Sequence, residues 1–202
     1  EERVHIAKRL ETAIMTQLMD LNMADTIFTI QVNKRDTISL SGADDVEFLI
    51  SPNPGEPLKP LASIASGGEL SRIMLAFKVV FIDADDIPSM IFDEIDTGIS
   101  GRTAQKVGEK LCCIAGNRQV LCVTHLPQIA VMGDVQYFVE KRVVDNRTIT
   151  NIEELTDEKR TNEIARMIGG DEKHQSGILH AKALLDTALA KRIELRSGKG
   201  SA

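Results

Sequence analysis

The sequence predicts an α/β protein with a parallel βα core, an antiparallel strand meander ahead of it and a long helix at the start. Three observations carry this. Residues 1–23 contain no Gly or Pro and repeat apolar residues at helical spacing, residues 26–50 alternate in short runs, and from Leu61 onward helical and strand patterns take turns.

Ile6, Leu10, Ile14, Leu18 and Leu21 recur every three or four residues and form an apolar stripe on a helix of about six turns. Two readings stay open: a helix lying on its own domain, or the returning end of a longer coiled coil. Thr26 to Val32, Thr37 to Leu40 and Val46 to Ile50 read as strands of a meander, parted by Asn33-Lys34-Arg35-Asp36 and Gly42-Ala43-Asp44. Ser51-Pro52-Asn53-Pro54-Gly55, with Pro57 and Pro60, predicts an exposed loop without regular structure. The βα series then runs helix Glu69 to Phe81, strand Met90 to Phe92, helix Arg102 to Ile114, strand Val120 to Val123, a short helix from Pro127 and a strand Gln136 to Val139. Such alternation calls for a parallel sheet covered by helices. Ile149 to Leu155 adds a strand, Thr156-Asp157 caps a helix through Ile168, Gly169-Gly170 stops it, and a last helix spans about Lys173 to Ile193. The expected division is an entry helix over 1–24, one lobe over 25–193 and a flexible tail over 194–202.

With 43% hydrophobic residues in 202, the chain can build one sizeable core, and one Tyr with no Trp predicts an aliphatic one. The apolar stretches are strand-sized, below the roughly 18 residues of a membrane span, and no signal segment opens the chain, so a cytoplasmic location without membrane contact is expected. Cys112, Cys113 and Cys122 lack the spacing of a metal or redox motif and read as reduced thiols. A net charge of −6 gives no global attraction to nucleic acid.

Two segments carry chemistry. Ser66-Gly67-Gly68-Glu69 opens a helix with bare backbone N–H groups facing an anion, and Ser89-Met90-Ile91-Phe92 ends in Asp93-Glu94, as the strand of a magnesium-nucleotide site does. His125 ends another apolar strand, which a parallel sheet places beside those carboxylates. Taken singly, the turn reads equally as a helix cap, the acidic pair as a solvated loop start and the histidine as structural. Their order and spacing are what capping does not require. No G-x-x-x-x-G-K-[ST] string occurs, and Gly198-Lys199-Gly200 lacks the hydroxyl residue, so the phosphate-binding half of such a site must come from elsewhere.

Ala65-Ser66-Gly67-Gly68-Glu69-Leu70-Ser71-Arg72 resembles the ABC-type signature of SMC-like ATPases. Ile91 to Gly101 resembles the Walker B and D-loop segment of the RecN family of such ATPases, and Val123 to Ala130 its switch-histidine segment. The likeness extends from about Leu61 to Leu185, departing at Gly133, where Ala is expected before Asp134. It implies the C-terminal lobe of an ABC-type ATPase head with a coiled-coil-exit helix. Cofactors would be ATP and Mg²⁺, and partners the N-terminal lobe of the same head, a second head and DNA, in a nucleoid-associated setting. In that scheme Ser66, Gly67 and Gly68, with Glu69 in the same turn, meet the γ-phosphate held by the other head. Asp93 holds the metal, Glu94 activates water, His125 senses the γ-phosphate and Asp96 bridges the heads. The implied function is ATP hydrolysis between two heads during recombinational repair of DNA double-strand breaks. The alternative is an ATP-gated clamp for DNA ends or partners with negligible turnover. A free-standing metal hydrolase built on Asp93, Glu94, Asp96 and His125 is disfavoured, because nothing in the one chain binds phosphate strongly.

Overall fold

The computed structural model describes residues 1–40, 42–84, 86–144, 147–169 and 175–198. They form two compact units, Glu1–Val123 and Thr124–Ala202.

The first unit opens with α1 (Glu2–Asp20). Ile14, Leu18 and Leu21 are fully buried, whereas Val4 and Ile6 are half exposed, so the lower stripe lies on the unit's own core and the first turns stand clear. β1 (Ile27–Ser39) and β2 (Gly42–Ser51) pair antiparallel from Ile27↔Ser51 to Lys34↔Asp44, with a register irregularity before Ser39↔Gly42. The break expected at Asn33 to Asp36 is therefore absent, and one long strand replaces two. Arg35 bridges across the strands, donating to Asp45 on β2 at 2.7 Å, and also donates to Ser39 further along its own strand at 3.2 Å. The Pro-rich loop is also less irregular than expected. β3 (Lys59–Pro60) pairs with Leu49 and Ile50 at the sheet edge, where a proline's missing donor is tolerated.

α2 (Gly67–Val80) buries Ile73, Leu75, Ala76 and Phe77. Phe77 meets Phe28 edge-on at 5.5 Å, Phe48 at 5.8 Å and Phe81 at 6.1 Å. The core is thus not purely aliphatic. This phenylalanine cluster anchors the far end of α2 to the hairpin, each pair adding about 0.5–1.5 kcal/mol beyond burial. β4 (Ser89–Phe92) and β5 (Gln119–Cys122) run parallel in the register Ser89↔Gln119 to Phe92↔Cys122, joined by the crossover helix α3 (Gly101–Ile114). On α3 the buried Lys110 ammonium donates to Gln17 at 2.5 Å and Asp20 at 2.8 Å, tying this helix to the end of α1.

In the second unit, α4 (Pro127–Ala130) precedes β6 (Tyr137–Val144) and β7 (Arg147–Glu154), which pair antiparallel. β6 was expected to continue the parallel series; its apolar-polar alternation instead finds a mate in the next strand. α5 (Asp157–Met167) is capped by Thr156 as predicted, and Gly169 after it is left-handed at φ 78°. Gly170 and the predicted start of the last helix at Lys173 lie outside the described residues. That helix, α6 (Gln175–Arg196), runs three residues beyond Ile193. Among the described residues no helix is long and apolar enough to cross a membrane.

Three arginines clasp the turn after α4. Arg160 donates to the carbonyls of Gly133 at 2.6 Å and Val131 at 3.3 Å, Arg192 to Gly133 O at 2.8 Å, and Arg196 forks onto the Asp134 carboxylate at 2.7 and 3.0 Å. A Cβ on Gly133 would lie 3.2 Å from Val135 O, so the expected alanine would crowd this turn. The hydrogen bond from Arg196 holds the Asp134 carboxyl below its usual range; burial opposes this, and the charges of Arg196, Arg192 and Arg160 add to it. A carboxyl depressed in the fold stabilises it above the unfolded-state pKa, and that contribution fades as pH falls through the folded value. Asp134→Asn should therefore lower Tm at neutral pH, with the gap to the parent closing in thermal scans taken from about pH 5 down to pH 2. A gap constant over that window would exclude a charge-based clasp.

Candidate functional site

The site grows from the start of α2. Ser66 is its N-cap, with extended backbone, and its Oγ accepts from Glu69 N at 3.4 Å. The cap reading of the turn is therefore true, but the bond is long against a usual 2.9–3.0 Å, so the hydroxyl is only loosely held. Ser66 and Gly67 are exposed, and Gly68 is buried beneath them.

Facing this turn is the segment after β4. Met90 and Phe92 point inward and fix the strand end, which delivers Asp93 and Glu94 to the surface. Asp93 Oδ1 accepts from Glu94 N at 2.9 Å. Glu94 has φ 57°, a left-handed conformation that costs a side-chain-bearing residue about 1–2 kcal/mol. Strain of this kind persists where surrounding contacts over-determine it. Here they are numerous: Thr97 N donates to Glu94 O at 3.1 Å, Ile95 is fully buried and Asp96 nearly so.

Turn and acidic segment are packed without slack. A Cβ on Gly67 would lie 2.1 Å from Glu94 Oε2, and one on Gly68 would lie 3.0 Å from Thr97 Cβ and 3.2 Å from Glu94 O. Gly68 is required by close approach to that backbone rather than by its own angle, whereas a Cβ on Gly67 would meet only the end of the exposed Glu94 side chain, which can swing aside. One helical turn on, Ser71 Oγ donates to Asp93 O at 2.8 Å and Arg72 Nη1 to Thr97 O at 2.7 Å. Sequence reasoning missed these two. The available signal was a polar pair set on the apolar side of α2, just ahead of Ile73.

Of the expected site residues, Ser66, Gly67, Gly68, Glu69, Asp93, Glu94 and Asp96 are gathered in the first unit. His125 belongs to the second, exposed on the extended segment before α4, where Thr124 Oγ1 accepts from Leu126 N at 3.1 Å. Cys122, opposite Phe92 at the strand ends, is pushed up to about 12, first by burial and then by the charges of Asp96 and Asp93. Its thiol stays protonated and poorly nucleophilic. No group of three metal-ligating side chains occurs among the described residues. Asp93 and Glu94, both exposed and with no third ligand beside them among the described residues, suit magnesium, which keeps waters and takes phosphate oxygens, rather than a caged transition metal.

No family model matches the chain. Among solved structures it resembles the Smc head domain with coiled coil and joint from Pyrococcus yayanosii, at TM-score 0.55 and 18% identity over 82% of this chain and 30% of that one. The Smc head domain with an extended coiled coil, bound to the C-terminal domain of ScpA, from Pyrococcus furiosus gives TM-score 0.52 and 18% identity, covering 83% and 39%. The fold is that of part of an SMC-type head. The relatives sharpen this. The chain is 47% identical over 190 residues to the DNA repair protein RecN of Halalkalibacterium halodurans, covering 92% of this chain and 34% of the relative. It is 45% identical over 189 residues to that of Vibrio cholerae, covering 93% and 34%. It belongs to the RecN family, and spans about a third of the length of these relatives.

Proposed function

We propose that this chain is the C-terminal lobe of an ATPase head that closes with a second head over ATP, acting in recombinational repair of DNA double-strand breaks. The observation that carries the reading is the joined turn and acidic segment, which offers a γ-phosphate cradle and a hydrolytic pair without any phosphate loop. The parallel sheet supports it. Parallel strands are normally covered on both faces, yet Ile91 is 74% exposed, Leu121 47% and Val123 62%, as expected of a sheet whose other layer belongs to a missing lobe. The names of the relatives, DNA repair proteins, support the setting.

In this reading the α2 N-terminus, with about half a positive charge, receives the γ-phosphate end of an ATP held by the other head. Asp93 would hold magnesium, which would supply charge neutralisation at the phosphates. Glu94 orients the attacking water and takes its proton, with strained backbone fixing where its carboxylate starts. His125 senses the γ-phosphate, while Asp96, expected to bridge the heads, is only 4% exposed and would reach a second head only if closure uncovers it. Because phosphoryl transfer is mainly positioning and electrostatics, splitting the parts between heads makes hydrolysis conditional on closure.

The isolated chain should bind Mg-ATP weakly or not at all by titration calorimetry, whereas the full-length protein should bind it and turn it over. Micromolar binding by the chain alone would overturn the half-site reading. Tight binding by the full-length protein with negligible turnover, with or without DNA, would favour the ATP-gated clamp.

A further inference from the structure

Arg72 is a buried cation with little to justify it as a stabilising group. Its only side-chain hydrogen bond among the described residues is Nη1 to Thr97 O, its Nε is buried with no partner, and the one carboxylate whose charge offsets its burial is Glu69, one turn away on the same helix. A desolvated, incompletely bonded guanidinium is costly, and an apolar residue would pack there more cheaply. What it does hold is the end of the acidic segment. Together with Ser71 on Asp93 O, it grips Asp93 to Thr97 at both ends, while Gly68 packs close against Glu94 O and Thr97.

The proposed function gives this grip a consequence, and the inference rests on that reading. There, one head's turn serves one ATP and the same head's Asp93 and Glu94 serve the other. The two parts of one chain are rigidly joined, so engagement of the turn by one γ-phosphate must be felt at the carboxylates of the second site. We propose that Arg72, assisted by Ser71, is a positioning residue that couples the two ATP sites, setting the Asp93–Thr97 segment in its hydrolytic position only when the adjoining turn is engaged. Arg72 touches no substrate in this scheme. It acts through the carbonyl of Thr97, by making a helix start and an acidic segment one body with shared alternatives.

The test uses a full-length protein carrying these residues, with Arg72→Met, Arg72→Lys and Ser71→Ala. The parent should hydrolyse ATP with a Hill coefficient above one, two sites setting the upper limit. Arg72→Met should bring the coefficient to one and lower kcat by about tenfold to hundredfold, the scale of a small misplacement of reacting groups, while ATP-dependent dimerisation and KM stay near the parent's. Arg72→Lys, which keeps charge but loses the fork, should restore stability more than cooperativity. Should Arg72→Met fail to fold, Ser71→Ala decides, with the same loss of cooperativity in smaller measure. A purely structural arginine would lower Tm and leave the coefficient and kcat of the folded protein unchanged, which would overturn the proposal. So would a parent that dimerises on ATP yet hydrolyses with a coefficient of one. Failure of the underlying reading is distinct: turnover would then survive both Glu94→Gln and Ser66→Arg, and the coupling would fall with it.

Discussion

Replacing Glu94 with glutamine in a full-length protein carrying this chain should lower ATP turnover by about 10²- to 10⁴-fold while ATP still binds. Glutamine keeps the length of the side chain and its contact with Gly67, where Oε2 would stand 2.1 Å from an added Cβ, so packing of the turn is conserved. It keeps a hydrogen-bond acceptor for water but cannot take its proton. The backbone at φ 57° is no worse for Gln than for Glu, so the variant should fold like the parent. With hydrolysis blocked and binding intact, the closed two-headed state should accumulate, which size-exclusion chromatography with and without ATP would detect. Turnover at the parental rate would remove the base role from Glu94 and leave His125 as the next candidate. That outcome is informative because Glu94 is solvent-exposed and, among the described residues, hydrogen-bonded through its backbone alone, so little besides chemistry depends on its charge.

The legible parts of this chain were those fixed by local rules. Ser66 caps α2, Thr156 caps α5, and the strand carrying Asp93 and Glu94 ends where alternating burial of Met90 and Phe92 predicts. Errors came where pairing partners decide. Asn33 to Asp36 read as a break because Asn and Asp favour turns, yet the strand runs on through a register irregularity there, with Arg35 reaching Asp45 on the facing strand. Pro60 read as a loop because it lacks a donor, yet an edge position needs none. Tyr137 to Val144 is compatible with either a parallel or an antiparallel mate, and only the neighbouring strand chooses. The site divides the same way. Ser66 to Glu69 and Asp93 to Asp96 carry recognisable patterns, whereas Ser71 and Arg72 matter through contacts with carbonyls 22 and 25 residues away, which no local spacing encodes.

Ser66→Arg separates a cap from a phosphate contact made in the closed dimer. The cap bond is long, at 3.4 Å, and Ser66 is exposed, so its loss belongs at the lower end of the about 0.5–2 kcal/mol typical of N-cap removal. Folding and ATP binding by the full-length protein should therefore stay near normal. An arginine side chain at this turn would nevertheless project into the space where a second head must bring its γ-phosphate. The expected result is loss of ATP-dependent dimerisation and, with it, of hydrolysis. A mixing experiment sharpens the inference, because a partner disabled only in its own phosphate loop still has an intact turn. Pairing it with Ser66→Arg, whose phosphate loop is intact, leaves one complete site, and partial recovery of dimerisation is expected from that site alone. A defect acting within one head would not be rescued in this way. If Ser66→Arg dimerises and turns over ATP like the parent, Ser66 is only a cap, and the anion-facing role of the α2 N-terminus is wrong.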